Sequence, residues 1–501
     1  MSKQKIQLSD HFDYSRLIRF VLPCIGTMLF TSIYGIVDGL CVSNFVGKTA
    51  FAAVNLIMPV PMLVGTVGFM LGTGGSAIVG ITLGEGDKAR ADRYFSLFMS
   101  TALIAGIVLS VLGMLLLRPV ALMLGAEGEM LDYALRYGRV LMLSLPTFIL
   151  QNMFQSFFVT AEKPHLGFYF TVGAGCTNMV LDVLLVGILH WSVEGAAIAT
   201  MLSQVVGGLL PVFYFLNRKN TSLLHLCRPQ FEGGVLLKAC VNGSSELMTN
   251  LSMSLVNILY NYQLLRLAGE NGVAAYGVIM YAAFLFVAVF VGYAVGSAPI
   301  VSFHYGARNH AEVHNLYRKS LRLIAVVAVT LTLASMFIIP CVARIFVGYD
   351  AELLALTSRA FRLYALSFLI MGFNVYASSF FTALGDGVTS ALISFLRTLA
   401  FQVIAILLLP LLLGNRWAGL AGVFAMGLLM YLLNTPAQMH ALSLAEQDYP
   451  FASSLCASVQ PVSYNFGIAI GSFIGSAVQE GWGFRPLGLP AAMFALAALG
   501  L

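Results

Sequence analysis

Two carboxylates, Asp38 and Asp182, lie inside apolar stretches of this 501-residue chain. Asp38 belongs to an apolar run from near residue 17 to near residue 42, which exceeds the ~20 residues that a helix needs to cross a bilayer. A charge at such a depth costs ~3 kcal/mol or more, so it usually faces a water-filled cavity on the path of an ion or a substrate. An interfacial or capping aspartate near the outer helix end is the alternative.

Polar side chains accompany both carboxylates at helical spacing. Tyr34 lies one turn before Asp38, and Asn178 lies one turn before Asp182, so each pair shares a helix face. If both helices run from inside to outside, the two carboxylates lie at similar depth in the outer half of the membrane.

Two further polar residues, Asn152 and Thr200, lie in neighbouring apolar runs, and Thr200 is at comparable depth. Acids, amides and a hydroxyl in one place suit protonation or the binding of a desolvated cation, which takes oxygen ligands. We expect no metal ion apart from Na⁺ at Asp38 and Asp182, where either H⁺ or Na⁺ is the coupling ion. Simple interhelical hydrogen bonding, at ~0.6 kcal/mol per contact, explains Asn152 and Thr200 equally well.

The composition is that of a membrane protein. Hydrophobic residues make up 59% of the chain and charged residues 10%, against ~25% charged in soluble domains. We assign the net charge of +5 to basic loops and expect no nucleic-acid partner. The seven cysteines are scattered, with no CxxC, so we expect no disulfide framework and no cysteine-bound metal. Apart from the coupling ion we expect no cofactor.

Twelve apolar runs divide into two sets of six. They lie near residues 17–42, 55–80, 95–117, 138–160, 167–189 and 195–216, and near 240–265, 273–300, 321–346, 360–383, 388–412 and 417–440. We predict a first lobe over 1–216, a connector over 217–238, a second lobe over 239–440 and an atypical apolar tail over 441–501.

The two halves repeat one another. LAGENGVAAYGVIM at 267–280 is similar to FVGKTAFAAVNLIM at 45–58, with an offset near 222 residues. The predicted fold is an all-α polytopic membrane protein. Its two six-helix lobes are related by a pseudo-two-fold axis along the membrane normal, and one or two extra apolar segments follow.

Basic residues favour cytoplasmic termini for both lobes. With the N-terminus inside, sixteen lysines and arginines fall on the inner side and nine on the outer side.

The second lobe has no matching pair of acids. Its buried acid is Glu246, which either binds cationic substrates or is a hydrogen-bonded helix residue near the inner mouth. Arg397, in the eleventh run, is the matching odd cation of the second lobe, and it either contacts substrate or extends toward the inner face.

Several stretches resemble the MATE (multidrug and toxic compound extrusion) family of bacterial transporters over about residues 10–414. They are IYGIVDG (33–39), FVGKTAFAAVNLIMP (45–59), GSAIVGITLGEGD (75–87), NMVLDVLLVG (178–187), GAAIAT (195–200) and GSAPIVSFHYGARN (296–309). The resemblance implies a multi-pass protein of the bacterial inner membrane that exports organic cations by alternating access. It also implies that Asp38 and Asp182 are the coupling acids. Thr31 stands where many members have Gln.

The tail departs from this pattern. From about Arg416 the chain resembles the last spans of a major facilitator superfamily exporter, in NTPAQ (434–438) and NFGIAIGSFIGS (465–476). We expect this tail to stay outside the transport site.

The favoured function is a multidrug antiporter that exchanges cationic or amphiphilic small molecules for H⁺ or Na⁺, and we expect a monomer in the bilayer. The alternative is a flippase for a lipid-linked saccharide, which would need several basic residues in its cavity. We expect no enzyme, because no DDxxD, HExxH or GxSxG motif occurs. No filter-like repeat supports a channel.

Overall fold

The protein is an all-α bundle. The computed structural model describes residues 6–45, 48–217, 219–348 and 350–400, together with 402, 403 and 406. The helices are α1 (Tyr14–Phe45), α2 (Lys48–Ile57), α3 (Pro59–Gly84), α4 (Lys88–Met123), α5 (Gly128–Thr160), α6 (Pro164–Leu181), α7 (Ser192–Gln204), α8 (Leu210–Leu216), α9 (Gly233–Gly306), α10 (His310–Val347), α11 (Ala351–Ala365), α12 (Phe368–Ala383) and α13 (Gly387–Phe395).

Three π-helical segments extend or interrupt these helices. They are Asp182–Ile188 after α6, Val205–Leu209 between α7 and α8, and Leu396–Ala400 after α13. A π-turn widens the helix by one residue per turn and is common at functional sites.

Among the described residues, eight helices are long and apolar enough to span a membrane, and nine if α11 and α12 form one bent span. The prediction of twelve runs differs in three places. The first half of α9 is more polar than the other spans, α13 with its π-helical extension is short, and the run at 417–440 lies outside the described residues. The predicted run at 360–383 is two helices that meet at an angle of 49°.

Side chains with local hydrogen bonds set where several helices begin. The carboxylate of Asp13 accepts the backbone N–H of Arg16 at 2.7 Å, and that of Asp87 accepts the N–H of Arg90 at 2.9 Å. Asn309 caps α10 in the same way. Such caps satisfy N–H groups that have no partner within the helix.

The first lobe packs against the second through α1 and α3, which lie along α9. A Cβ atom at Gly292 would lie 2.5 Å from the Cα of Ile25, and one at Gly74 would lie 2.6 Å from the backbone nitrogen of Gly243. Only glycine permits such backbone approach, and small residues are typical of helix contacts in membranes.

These contacts lie in the half of the bundle in which α1 begins, and we call that side the N-terminal end. Gly84 and Gly306 meet the facing backbone of α9 and α3 close to the ends of their helices. The lobes are therefore tightly joined at the N-terminal end.

The helix α9 contains a sharp break at Gly269, whose φ of 62° and ψ of −155° lie outside the helical region. Glycine adopts this backbone conformation without the steric penalty of a side chain. The break separates the two runs predicted at 240–265 and 273–300.

The connector between the lobes is shorter than the predicted 217–238, because α9 already begins at Gly233. It packs on the first lobe: the N–H of His225 donates to Asp92 at 2.9 Å, and the N–H of Cys227 donates to Ser96 at 2.9 Å. Leu224 is fully buried.

The chain forms two compact units, Met1–Phe395 and Leu396–Leu501. Most of the second unit, including the predicted tail over 441–501, lies outside the described residues.

Candidate functional site

Asp182 is fully buried at the end of α6, where the first π-helical segment begins. Its backbone N–H lies within hydrogen-bonding reach of the carbonyl oxygens of Asn178 and Met179. Burial in a membrane protein disfavours a bare negative charge, so this carboxylate is suited to hold a proton or a cation.

Asn178, one turn earlier, is 2% exposed. Its Nδ2 lies 3.5 Å from the hydroxyl oxygen of Thr200 on α7, which is a long hydrogen bond. Its Oδ1 is buried and has no hydrogen-bond partner among the described residues. The structure therefore brings Asn178, Asp182 and Thr200 together, with an amide oxygen available to a ligand.

Tyr34 connects α1 to this group. A Cβ atom at Gly175 would lie 3.2 Å from Cδ1 of Tyr34, and the rings of Phe30 and Tyr34 are 6.3 Å apart. Gly175 is one turn before Asn178, so the absence of a side chain there lets Tyr34 approach the acid-bearing helix.

The backbone also fixes the relative depth of the two acids. The side chain of Asp38 lies outside the described residues, but its backbone continues α1 one turn beyond Tyr34. At 1.5 Å per residue, Asp38 is ~6 Å beyond the Tyr34–Gly175 contact and Asp182 is ~10 Å beyond it. The two helices run in the same direction, so the Cα atoms lie within about one turn in depth.

Asn152 is buried on α5, and its Nδ2 lies 3.5 Å from the carbonyl oxygen of Gly65 on α3. Its amide therefore bridges α5 to α3. Thr31 on α1 donates its hydroxyl to the carbonyl of Thr27 at 2.8 Å. It is thus bonded within its own helix.

A small cavity lies among α1, α5 and α6 toward the N-terminal end, and Val295 of α9 forms part of its wall. Thr27, Gln151, Gln155 and Thr171 supply its polar lining. The Oε1 of Gln155 is buried without a hydrogen-bond partner among the described residues. Gln151 and Gln155 were not among the predicted site residues, although they flank Asn152 within the apolar run at 138–160.

The candidate residues of the second lobe lie apart from one another in the chain. Glu246 is partly buried on the first half of α9, and its carbonyl accepts the amide of Asn250 at 2.8 Å. Arg397 lies in the π-helical segment that begins the second unit.

Asn242, one turn before Glu246, is a further residue that the sequence analysis missed. It is 1% exposed, and its Nδ2 donates to the carbonyl of Thr382 on α12 at 2.9 Å. The same nitrogen lies 3.5 Å from the carbonyl of Gly74 on α3. One buried amide therefore joins three helices of both lobes.

A family model described as MatE matches residues 23–184 and again 247–408. The chain belongs to the MATE family of transporters. The two matches begin about as far apart as the offset seen in the sequence repeat, so each lobe is one copy of the family unit.

Curated relatives are similar along most of their length. The chain is 22% identical to the multidrug export protein MepA of Staphylococcus saprophyticus over 418 residues, covering 82% of this chain and 89% of that protein. It is 23% identical to MepA of Staphylococcus aureus over 416 residues, with the same coverage.

Solved structures share the fold. A MATE transporter in complex with MaD5 has a TM-score of 0.78 at 22% identity, covering 89% of this chain and all of that one. An outward-facing multidrug resistance MATE transporter has a TM-score of 0.76 at 23% identity, covering 86% and 99%. A transporter of the MOP superfamily from Pyrococcus furiosus, described as having a binding pocket of reverse polarity, has a TM-score of 0.75 at 24% identity, covering 87% of this chain and all of that one.

The two segments that match the MatE family model include some of the candidate residues and not others. Asp38, Asn152, Asn178 and Asp182 lie within the first matched segment. Arg397 lies within the second matched segment. Thr200 and Glu246 fall between the two, so their assignment rests on this chain's own geometry and sequence.

Proposed function

We propose that this MATE transporter is a multidrug efflux antiporter that exports organic cations in exchange for H⁺ or Na⁺. The observation that carries the proposal is the burial of Asp182 beside Asn178 and Thr200, at the depth that α1 reaches at Asp38. The names of the staphylococcal relatives, which are multidrug export proteins, support the activity.

The carboxylates supply the coupling. An inward-moving proton or Na⁺ neutralises charge in the first lobe, which removes repulsion between the acids and lets α1, α6 and α7 repack. The ion and the exported cation must favour different conformations, because a ligand shifts an equilibrium only through its differential affinity. Exchange follows if binding of the coupling ion favours the conformation that releases the exported cation, and binding of the exported cation favours the conformation that releases the ion.

In alternating access, the two lobes separate at one side of the membrane while they stay in contact at the other. In our proposal the N-terminal end faces the cytoplasm of a bacterial cell, as the distribution of basic residues favours. The close contacts of Gly292 and Gly74 with the opposite lobe then close the cytoplasmic side. The conformation described is accordingly outward-facing, and export requires these contacts to separate.

The charge of the candidate residues favours cationic over anionic cargo. Asp182 and Glu246 supply negative charge, whereas a flippase for a lipid-linked pyrophosphate would need a cluster of basic residues. The variant Glu246→Gln should reduce export of some cations more than others, because it removes charge from the second lobe without touching the coupling acids.

Efflux of a fluorescent organic cation from proteoliposomes tests this proposal. Separate pH and Na⁺ gradients should show that one of them drives export and that the other has little effect. Equal export without any gradient would contradict coupled antiport, and export of an anionic lipid-linked sugar in place of the dye would favour the flippase.

A further inference from the structure

The residues that precede α1 form an ordered segment on the surface of the bundle, over residues 6–13. A turn closes it: the N–H of Asp10 donates to the carbonyl of Gln7 at 3.2 Å, and the N–H of Gln7 donates to the carboxylate of Asp10 at 3.1 Å. Leu8 and Phe12 are fully buried, within an apolar cluster that includes Val301 and Leu316 of the second lobe. Burial of both side chains makes this segment part of the packed structure.

Glu312, at the start of α10, holds this segment from the second lobe. Its Oε1 accepts the backbone N–H of Phe12 at 2.9 Å, and its Oε2 lies 2.6 Å from Nδ1 of His11. The carbonyl oxygen of Phe12 accepts hydrogen bonds from Nζ of Lys319 at 2.7 Å and from the side-chain amide of Asn315 at 3.2 Å. Side chains of one helix thus bind both the N–H and the C=O of Phe12.

The first lobe holds the same segment at both of its ends. Glu162, in the turn between α5 and α6, accepts the N–H of Leu8 at 2.8 Å. At the other end the segment continues directly into α1, where Arg16 donates to the carbonyl of His11 at 3.2 Å. The segment therefore moves with the first lobe, and Glu312 binds it across the interface between the lobes.

The carboxylate of Glu312 depends on this contact. Its side chain is 8% exposed, and a buried carboxylate needs hydrogen-bond donors to offset lost hydration. Phe12 and His11 are donors from the opposite lobe, while Asn315 donates to it from the same helix at 3.0 Å. Separation of the lobes at the N-terminal end would remove the first two.

We propose that residues 6–13 form a latch that holds the N-terminal end of the bundle closed, and that they must leave Glu312 before the lobes can part. The proposal rests on the alternating access proposed above. Since the latch contacts exist only in the closed arrangement, their strength sets the populations of the closed and open states. The latch is separate from the acids of the transport site.

Chemical labelling of Cys24 measures opening at this end. Cys24 is 5% exposed, and a Cβ atom at Gly296 on α9 would lie 3.2 Å from its Sγ, so the thiol is covered by the opposite lobe. The purified protein would be treated with N-ethylmaleimide, and labelling of the Cys24 peptide would be followed by mass spectrometry.

The variants His11→Ala and Glu312→Gln should each label about 10-fold faster than the wild type, because a hydrogen bond to a charged group of this kind is worth about a tenfold change in an equilibrium. The double variant should label at nearly the same rate as the faster single variant, since both substitutions remove the same contact, that between His11 and Glu312. His314→Ala is the matched control, because His314 is an exposed histidine on the same helix. In this variant Cys24 should be labelled at the wild-type rate.

Labelling of folded His11→Ala at the wild-type rate would overturn the latch, and so would an equal acceleration in His314→Ala. The side chain of His11 is 69% exposed, so its removal should leave the fold intact even if Glu312→Gln does not insert. The readout requires no substrate, so failure of the efflux assay with faster Cys24 labelling would refute the proposed cargo and leave the latch standing.

Discussion

At the scale of single residues, the candidate site is a group of polar side chains on α6 and α7. Asn178 and Thr200 touch through one long contact of 3.5 Å, and Asp182 lies one turn away from Asn178. The shared helix face of Asn178 and Asp182 could be predicted from their spacing, whereas the contact of Asn178 with Thr200 joins two helices. The bond of Asn152 to Gly65 on another helix was not predictable, because it joins residues far apart in the chain.

The variant Thr200→Val tests the hydroxyl of this group. It removes the proposed oxygen ligand and the acceptor of Asn178 while keeping the shape of the side chain. We expect the coupling-ion concentration for half-maximal efflux to rise roughly 5-fold, because one hydrogen bond is worth ~1 kcal/mol.

Thr177→Val is the matched control on α6, since its hydroxyl donates to the carbonyl of Gly173 in its own helix. An unchanged ion dependence in Thr200→Val, or an equal shift in Thr177→Val, would remove Thr200 from the site.

At the scale of helices, most spans could be predicted because apolar runs report burial in lipid directly. The π-turn that begins at Asp182 and the bend between α11 and α12 could not, because packing against neighbouring helices decides them. The break in α9 was implied by the gap between two runs, and Gly269 supplies the backbone conformation.

Helix α9 offers a test of close packing. Gly292→Ala would place a methyl group 2.5 Å from the Cα of Ile25, so we expect α1 to be pushed away and the melting temperature to fall by several degrees. Gly277→Ala on the same helix meets no atom within 4 Å and should leave it unchanged or slightly higher, since alanine favours helix. Thermal unfolding in detergent distinguishes them, and equal melting temperatures would show that the backbones do not meet there.

At the scale of the whole molecule, the duplicated halves and the family could be read from sequence, whereas the closed N-terminal end could not. His11 and Glu312 are 301 positions apart, and nothing in either local sequence indicates that they meet. Sequence patterns report local burial, while contacts between lobes depend on which conformation the protein adopts.

A cross-link between the lobes tests whether this end must open. In Gly296→Cys the new side chain faces native Cys24, since a Cβ at residue 296 would lie 3.2 Å from Cβ of Cys24, near the usual disulfide spacing of ~3.8 Å. Oxidation should abolish efflux, and dithiothreitol should restore it. Gly277→Cys under the same oxidant should transport normally, and continued efflux by the cross-linked protein would rule out opening at this end.

The most direct test of the central claim is ion-gradient-driven efflux by the double variant Asp38→Asn, Asp182→Asn in proteoliposomes. Asp132→Asn is the matched control, because Asp132 is an exposed partner of Arg136 at 2.6 Å and lies outside the site. The account predicts that the double variant inserts and folds but exports no dye in response to the gradient, while Asp132→Asn behaves like the wild type. Normal gradient-dependent efflux by the double variant would contradict it.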